Sequence, residues 1–224
     1  MPHSDYKYTE KDGKITLIMY IGKATDVVIP KKIDGKPVTE IGNIEKVDTK
    51  DGMKLVDGCF KSADVESVVI PDSVTKIDSF AFSGCENLTS ITIPNSVTEI
   101  NGYAFSDCKN LKNVTIPNGV TLIDYGTFSR CRSLKSITIP NGVTKISVGA
   151  FNGCKSLSSV KIPNSVTSIY KNAFANCTSL TEIVIPDSVE AIADDTFDDC
   201  DNLKSITHPN GKEYSEAELK KLYM

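Results

Sequence analysis

The chain has 224 residues, 40% of them apolar and 24% charged, with 14 Gly, 10 Pro and a formal net charge of −4. Those figures exclude collagen-like, disordered and coiled-coil chains, and the negative balance supplies no overall basic field for nucleic acid or an anionic membrane. No stretch approaches the roughly 18 uninterrupted apolar residues that cross a bilayer, and the polar start at residues 1–13 lacks the apolar core of a signal peptide, so the chain as written is expected to be soluble.

The first elements are irregular. Tyr6-Lys7-Tyr8 and Ile15-Thr16-Leu17 flank Lys11-Asp12-Gly13, a hairpin signal that would form a cap over residues 1–26. Val28-Ile29-Pro30 then opens an atypical coil, residues 27–64, whose turn is widened by residues 33–37 ahead of Val38 and Ile41. Eighteen residues separate Ile41 from Phe60 where later copies have four between the corresponding Ile and Phe, and Asp51-Gly52 between Val47 and Leu55 predicts a protruding hairpin in that insertion.

From Val65 the chain repeats. The same pattern restarts at Leu88, Leu111, Leu134, Leu157 and Leu180, always 23 residues on, giving six complete units over 65–202 and a partial one over 203–224. In the unit 88–110 the apolar positions are Leu88, Ile91, Ile93, Val97, Ile100, Ala104, Phe105 and Cys108. Ser90-Ile91-Thr92-Ile93 alternates with period two and is β-branched, so it reads as a short strand. Pro94 lacks an N–H and ends it. The Pro-Asn-Ser and Pro-Asn-Gly steps at 94, 117, 140 and 163 suit a tight turn, with Pro fixing φ and Asn or Gly tolerating a positive φ. Val97 and Ile100 mark a second extended segment, and Ala-Phe-x-x-Cys is too short for more than about one helical turn. At the far end, Ser215 with Glu218 three residues on is a capping box that predicts a short closing helix. A single loop of this kind cannot close its own core, so the loops must stack. The fold is therefore expected to be one β-rich solenoid domain of seven to eight coils with parallel strands and irregular turns.

The consensus L-x-x-I-x-I-P-x-x-V-x-x-I-x-x-x-A-F-x-x-C, as in residues 134–154 (LKSITIPNGVTKISVGAFNGC), resembles the BspA-like class of bacterial leucine-rich repeats over about residues 27–209. The resemblance implies a right-handed solenoid in a secreted or cell-surface protein that binds extracellular host proteins. No export signal or anchor is visible in this chain. The expected function is non-enzymatic recognition or adhesion toward an extracellular protein or glycan. A structural scaffold or weakly self-associating subunit is the alternative.

The residues offer little for other chemistry. Cys85, Cys108, Cys131, Cys154, Cys177 and Cys200 recur every 23 residues, with Cys59 outside the series. Stacked at one inward corner they would have parallel Cβ directions unsuited to a disulfide, so they read as reduced core thiols, with Cys59 the one expected to react fastest. His3 lies in a terminal tail and His208 takes an inward strand position, leaving no catalytic arrangement and no cofactor or metal motif. The acidic run Asp194, Asp195, Asp198, Asp199 and Asp201 lacks the Gly and distal Glu of an EF-hand and reads as a solvated edge. Residues 111–179 carry eight basic residues and one acidic, whereas 180–202 carry eight acidic and no basic ones, a polarity that could steer a partner or a second copy. The outward strand positions form columns, and their central members, Asn113, Thr115, Ser136, Thr138, Ser159, Lys161, Glu182 and Val184, are the candidate binding residues.

Overall fold

Each copy of the repeat closes one turn of a solenoid because its two extended segments and its Phe-containing corner each meet the same element of the next copy. The computed structural model describes residues 3–42, 46–49, 52–55, 58–207 and 213–214. Along the front face run the short strands Ser67–Val69, Ser90–Thr92, Ser136–Thr138, Ser159–Lys161, Glu182–Val184 and Ser205–Thr207, with Asp26–Val28 pairing ahead of them. Their pairing is parallel and advances 23 residues per rung within the repeat, as in Ile137 opposite Val160 and Ile183 opposite Ile206. The central residue of each is buried, and its neighbours in the repeats from 88 to 184 are exposed. This is the alternation expected of a sheet with one wet face.

Proline then turns the chain. The N–H of Val97, Val120, Val143 and Val166 donates to the carbonyl of the Pro three residues earlier at 3.0–3.1 Å. The tight turns are thus present, and they close without the positive φ that their Asn and Gly residues would tolerate. The chain instead passes through the left-handed region at the Phe corner, at Tyr103 and Asp107 in one coil and at Gly149 and Gly153 in another.

A side ladder follows each turn, formed by Lys36–Ile41, Lys76–Ile77 and Glu99–Ile100 in one sheet, and by Leu122–Ile123, Lys145–Ile146, Ser168–Ile169 and Ala191–Ile192 in another. Coil 111–133 interrupts both ladders. At the front it keeps a single bridge between Ser90 and Asn113, and at the side Glu99–Ile100 and Leu122–Ile123 belong to different sheets.

The third side runs through this interruption. Backbone N–H groups of Phe82, Phe105, Phe128, Phe151 and Phe174 each donate to the next coil, to the carbonyls of Ala104, Thr127, Ala150, Ala173 and Thr196, at 2.8–2.9 Å. The rings from Phe60 to Phe197 form one column with centroids 4.8–5.8 Å apart and planes within 14°. Thr127 and Thr196 replace Ala in this corner, and their buried hydroxyls donate to the carbonyls of Asp124 and Ala193 at 2.9 and 2.6 Å.

At the N-terminal end, Tyr6–Lys11 and Lys14–Tyr20 form the expected hairpin. Asp12 and Gly13 both take positive φ at its tip, as a type I′ turn demands. Its second strand pairs in parallel with Lys36–Ile41, and Tyr6, Ile15 and Leu17 cover the core. Within the insertion, Lys46–Thr49 pairs antiparallel with Gly52–Leu55, the hairpin that Asp51-Gly52 predicts. His208, the capping box and the closing helix lie outside the described residues. Phe128→Ala is expected to cost about 3–5 kcal/mol, while Lys145→Ala, exposed on the side ladder, stays within about 0.5 kcal/mol. Urea unfolding followed by circular dichroism reads both, and equal midpoints would remove the Phe column from the core.

Candidate functional site

The front strands position the columns singled out in the sequence. Ser136 pairs with Ser159, Thr138 with Lys161, and Lys161 with Val184, so period-two alternation turns these residues out on one surface. Ser136, Thr138, Ser159, Lys161, Glu182 and Val184 are all exposed, and Asn113 and Thr115 are exposed on the irregular rung beside them. Within the 23-residue repeats Lys161 and Glu182 are the only charges in the two columns, and Asp26, paired with Ser67, heads the first of them. Lys161 also lines an open cleft of about 450 Å³ with Asn141, Pro163 and Asn164 where the front face meets the Pro turn.

The thiols sit on the opposite side of the core and are not arranged for chemistry. Each Sγ of the 23-residue series donates to the carbonyl of a Phe in the preceding coil at 2.9–3.3 Å, as in Cys131 to Phe105 and Cys154 to Phe128. Burial raises Cys85 and Cys154 to about 12 and holds Cys108, Cys131 and Cys177 well above the ordinary thiol value. A thiol without thiolate character is neither a nucleophile nor a metal ligand. Cys59 is 2% exposed and burial raises it too, whereas Cys200 is the half-exposed one. The expectation that Cys59 reacts fastest is therefore corrected. Tyr20, Phe60 and Gly42 enclose Cys59, with backbone bonds from Tyr20 N to Cys59 O at 2.7 Å and from Phe60 N to Ala81 O at 2.6 Å pinning that stretch. Cys200 belongs to the last complete coil.

In the acidic run, Asp195 accepts hydrogen bonds from the backbone N–H and Nδ2 of Asn172 at 3.3 Å. Among the described residues no three His, Cys, Asp or Glu side chains converge on a common point. Ion pairs instead tie neighbouring coils at the surface, Lys109 to Glu86 at 2.6 Å and Arg130 to Asp107 at 3.4 Å.

Sequence reasoning missed a second surface. Phe80, Tyr103, Tyr125 and Tyr170, the exposed aromatic side chains among the described residues, all lie at the corner between the side ladder and the Phe column. Phe80 and Tyr103 occupy the position held by Gly126, Gly149 and Asn172 in the next three coils, and all five have φ between 54 and 64°. Gly and Asn enter that region at little cost, whereas a bulky side chain costs about 1–2 kcal/mol. The two rings stack with centroids 5.1 Å apart and planes within 4°. Tyr103 then leans over Gly126, where a Cβ would come within 2.3 Å of its ring. Beyond it opens a cleft of about 300 Å³ lined by Tyr103, Gly126, Gly149, Arg130, Asn152 and Asn172. The signal that could have found it is the substitution of Phe and Tyr into a column otherwise rich in Gly and Asn.

Stacked parallel strands, one coil per repeat and a surface of outward columns define a solenoid of the leucine-rich-repeat class. The model of the BspA type leucine rich repeat region matches in six copies over residues 53–180 and 121–219, and the chain belongs to this family. It is 30% identical to a leucine-rich-repeat protein of T. pallidum, TpLRR, over 91% of this chain and 90% of that one, with a TM-score of 0.72. It is 29% identical to a leucine-rich cell surface protein of Faecalibacterium prausnitzii, with a TM-score of 0.75, over 95% of this chain and 59% of that longer one. The pneumococcal vaccine antigen PcpA, 20% identical over 94% of this chain and 50% of that one with a TM-score of 0.54, shares the fold. No curated protein matches the chain. Leucine-rich-repeat proteins act in protein binding and recognition, typically without catalysis, and BspA-type members are typically bacterial surface proteins. Among the described residues no helix is long and apolar enough to cross a membrane.

The thiols carry a pH signature. The folded state keeps their protons above pH 9.0, where an ordinary thiol ionises, so their contribution to stability is full below that value. It is lost progressively as pH rises toward about 12. Between about pH 8 and 9.5 Cys59, Cys85, Cys108, Cys131, Cys154 and Cys177 are expected to add almost no thiolate absorbance in the native protein, while the same thiols titrate in the urea-unfolded chain. Thiol reagent should label Cys200 first and all seven cysteines after unfolding without reductant. Fewer than seven would mean that disulfides have formed.

Proposed function

We propose that this chain is a non-enzymatic recognition module at a bacterial surface, using its front strand face to bind an extracellular protein, with a glycan as the other class of ligand for that face. The observation that carries this reading is the pair of outward columns, exposed and held in register by the parallel ladder. A partner docking there meets side chains already ordered by backbone hydrogen bonds and loses less conformational entropy than on loops. The columns are almost uncharged, so Lys161 and Glu182, on neighbouring strands, set the partner's orientation. The adjoining cleft at Asn141, Pro163 and Asn164 receives a projecting side chain. The family's recognition role and the cell-surface relative support the same assignment. The insertion hairpin is a second contact, separate from the front face because it leaves the chain between Ile41 on the side ladder and Phe60 in the Phe column, and departures from a repeat are where solenoids carry binding loops.

The test is capture from a host extracellular-matrix extract by the immobilised full chain, followed by titration of the purified captured protein. Combined replacement of Thr138, Lys161 and Glu182 by Ala is expected to weaken that affinity at least tenfold, about 1.4 kcal/mol. Separate deletion of residues 44–56 should also weaken it. Unchanged affinity in both variants, with the circular dichroism spectrum intact, would move the contact to the acidic edge around Asp198 and favour the self-assembling scaffold.

A further inference from the structure

The geometry points to a separate saccharide-binding site at the aromatic corner, with Tyr103 as its stacking platform and a gluco-configured pyranose ring as its ligand. This inference does not rest on the front-face reading, since the corner lies on another side of the solenoid and uses different residues.

The first observation is conformational. Phe80 and Tyr103 hold a left-handed backbone, with φ of 59° and 58°, where the following coils use Gly126, Gly149 and Asn172. A bulky residue kept in such a conformation is stored strain, and stored strain concentrates at binding sites. Neither ring serves the core, because both are among the exposed apolar side chains of the molecule. The second observation is the break in the column. Two parallel rings stack, and the next two positions are glycines that add no side chain. A Cβ at Gly149 would meet nothing closer than Asn152 at 3.8 Å. Phe80 covers one face of Tyr103; on the other, Gly126 packs against the Cδ1–Cε1 edge, and the rest of the ring borders the cleft.

The cleft's shape and lining select the ligand. At about 300 Å³ it lies at the lower end of small-molecule sites, which run from about 300 to 1,000 Å³, so it suits a short saccharide stretch rather than a folded partner. A pyranose with all substituents equatorial has axial C–H bonds on both faces, and their weakly positive hydrogens match the negative face of the Tyr ring. Its hydroxyls lie around the rim and need donors and acceptors at the cleft edge. The carboxamide of Asn152, half-buried in the cleft, makes no side-chain hydrogen bond among the described residues and supplies both. Arg130 adds guanidinium donors beyond the contact it makes with Asp107. Tyr125 lies beside Gly126 on the adjacent column.

The test uses the full chain with cellotetraose and, separately, chitotetraose, observed by saturation-transfer difference NMR. Transfer is expected to fall mainly on the axial ring protons, and the arm that responds identifies whether hydroxyl or acetamido sugars are preferred. Tyr103→Asn places a residue suited to positive φ at the same position. It should keep or raise the melting temperature while weakening binding at least tenfold. Gly126→Ala should weaken binding by displacing the Tyr103 ring. The combined Thr138, Lys161 and Glu182 variant should bind both sugars as the parent does, which separates this site from the front face. Absence of transfer with both tetrasaccharides, or transfer that survives in a folded Tyr103→Asn protein, overturns the proposal.

Discussion

At the Phe corner each coil from Phe60 to Phe174 is joined to the next by three interactions at one residue. The Phe N–H donates forward to the next coil, the Phe carbonyl accepts the thiol of the next coil's Cys, and the rings stack between them. A single coil satisfies none of these, which is why stacking is a condition of folding rather than an embellishment of it. This corner also runs unbroken past coil 111–133, where the front and side ladders are both interrupted. The relative placement of the two halves of the array therefore depends on the Phe side, and the front columns owe their alignment to hydrogen bonds made across the core from them.

The same corner explains the cysteines. Each Phe carbonyl from Phe82 to Phe174 already accepts the backbone N–H of the Cys in its own coil, as in Cys108 to Phe105 at 3.3 Å and Cys131 to Phe128 at 3.2 Å, and the thiol of the next coil is a second donor to it. Cys fills the corner as a small apolar side chain and donates weakly through sulfur. Thiolate formation would remove that donor and leave a negative charge in a dry corner facing an oxygen, so inertness is built into the packing. A regular cysteine series in a surface-type protein invites a disulfide reading. Here the period itself argues the other way, since equivalent residues on stacked coils point in the same direction.

Much of this was legible in the sequence because the repeat makes each inference seven times over. The 23-residue period, the two extended segments and the inward Ile, Val, Phe and Cys all follow from spacing. The errors and omissions arose where conformation or sequence-distant packing decides. Asn and Gly after Pro would tolerate positive φ, but that turn closes without it, and the left-handed residues sit at the Phe corner, where Asp107 and Arg130 gave no recognisable signal. Cys59 stood outside the series and so looked unprotected. Its burial depends on Tyr20 and Gly42, which the hairpin and the first side strand bring to it from elsewhere in the chain. The aromatic corner escaped for a related reason. Phe80 and Tyr103 pass for ordinary variation in a turn until their backbone angles are known.

A solenoid separates the residues that stabilise from those that recognise. Inward positions must match in every coil, because each packs against its own equivalents above and below, and a departure there disturbs two interfaces. Outward positions meet only their neighbours in a column and water, so they vary at little cost. Local rules broken in outward positions therefore carry more information than rules kept in inward ones. By that criterion the Lys161 and Glu182 pair in a column otherwise of Ser, Thr, Asn and Val is a mild departure, since either charge is compatible with an exposed strand. Phe80 and Tyr103 are a strong one, because their backbone conformation opposes the residue type in both coils and the core gains nothing from either ring. Strain tolerated in two successive coils is offset inside the protein only by the stack of the two rings and the packing of Tyr103 on Gly126, and it ends where two glycines open a polar cleft. A ligand stacked on the open part of the second ring would add to that offset, which is what the proposed saccharide does.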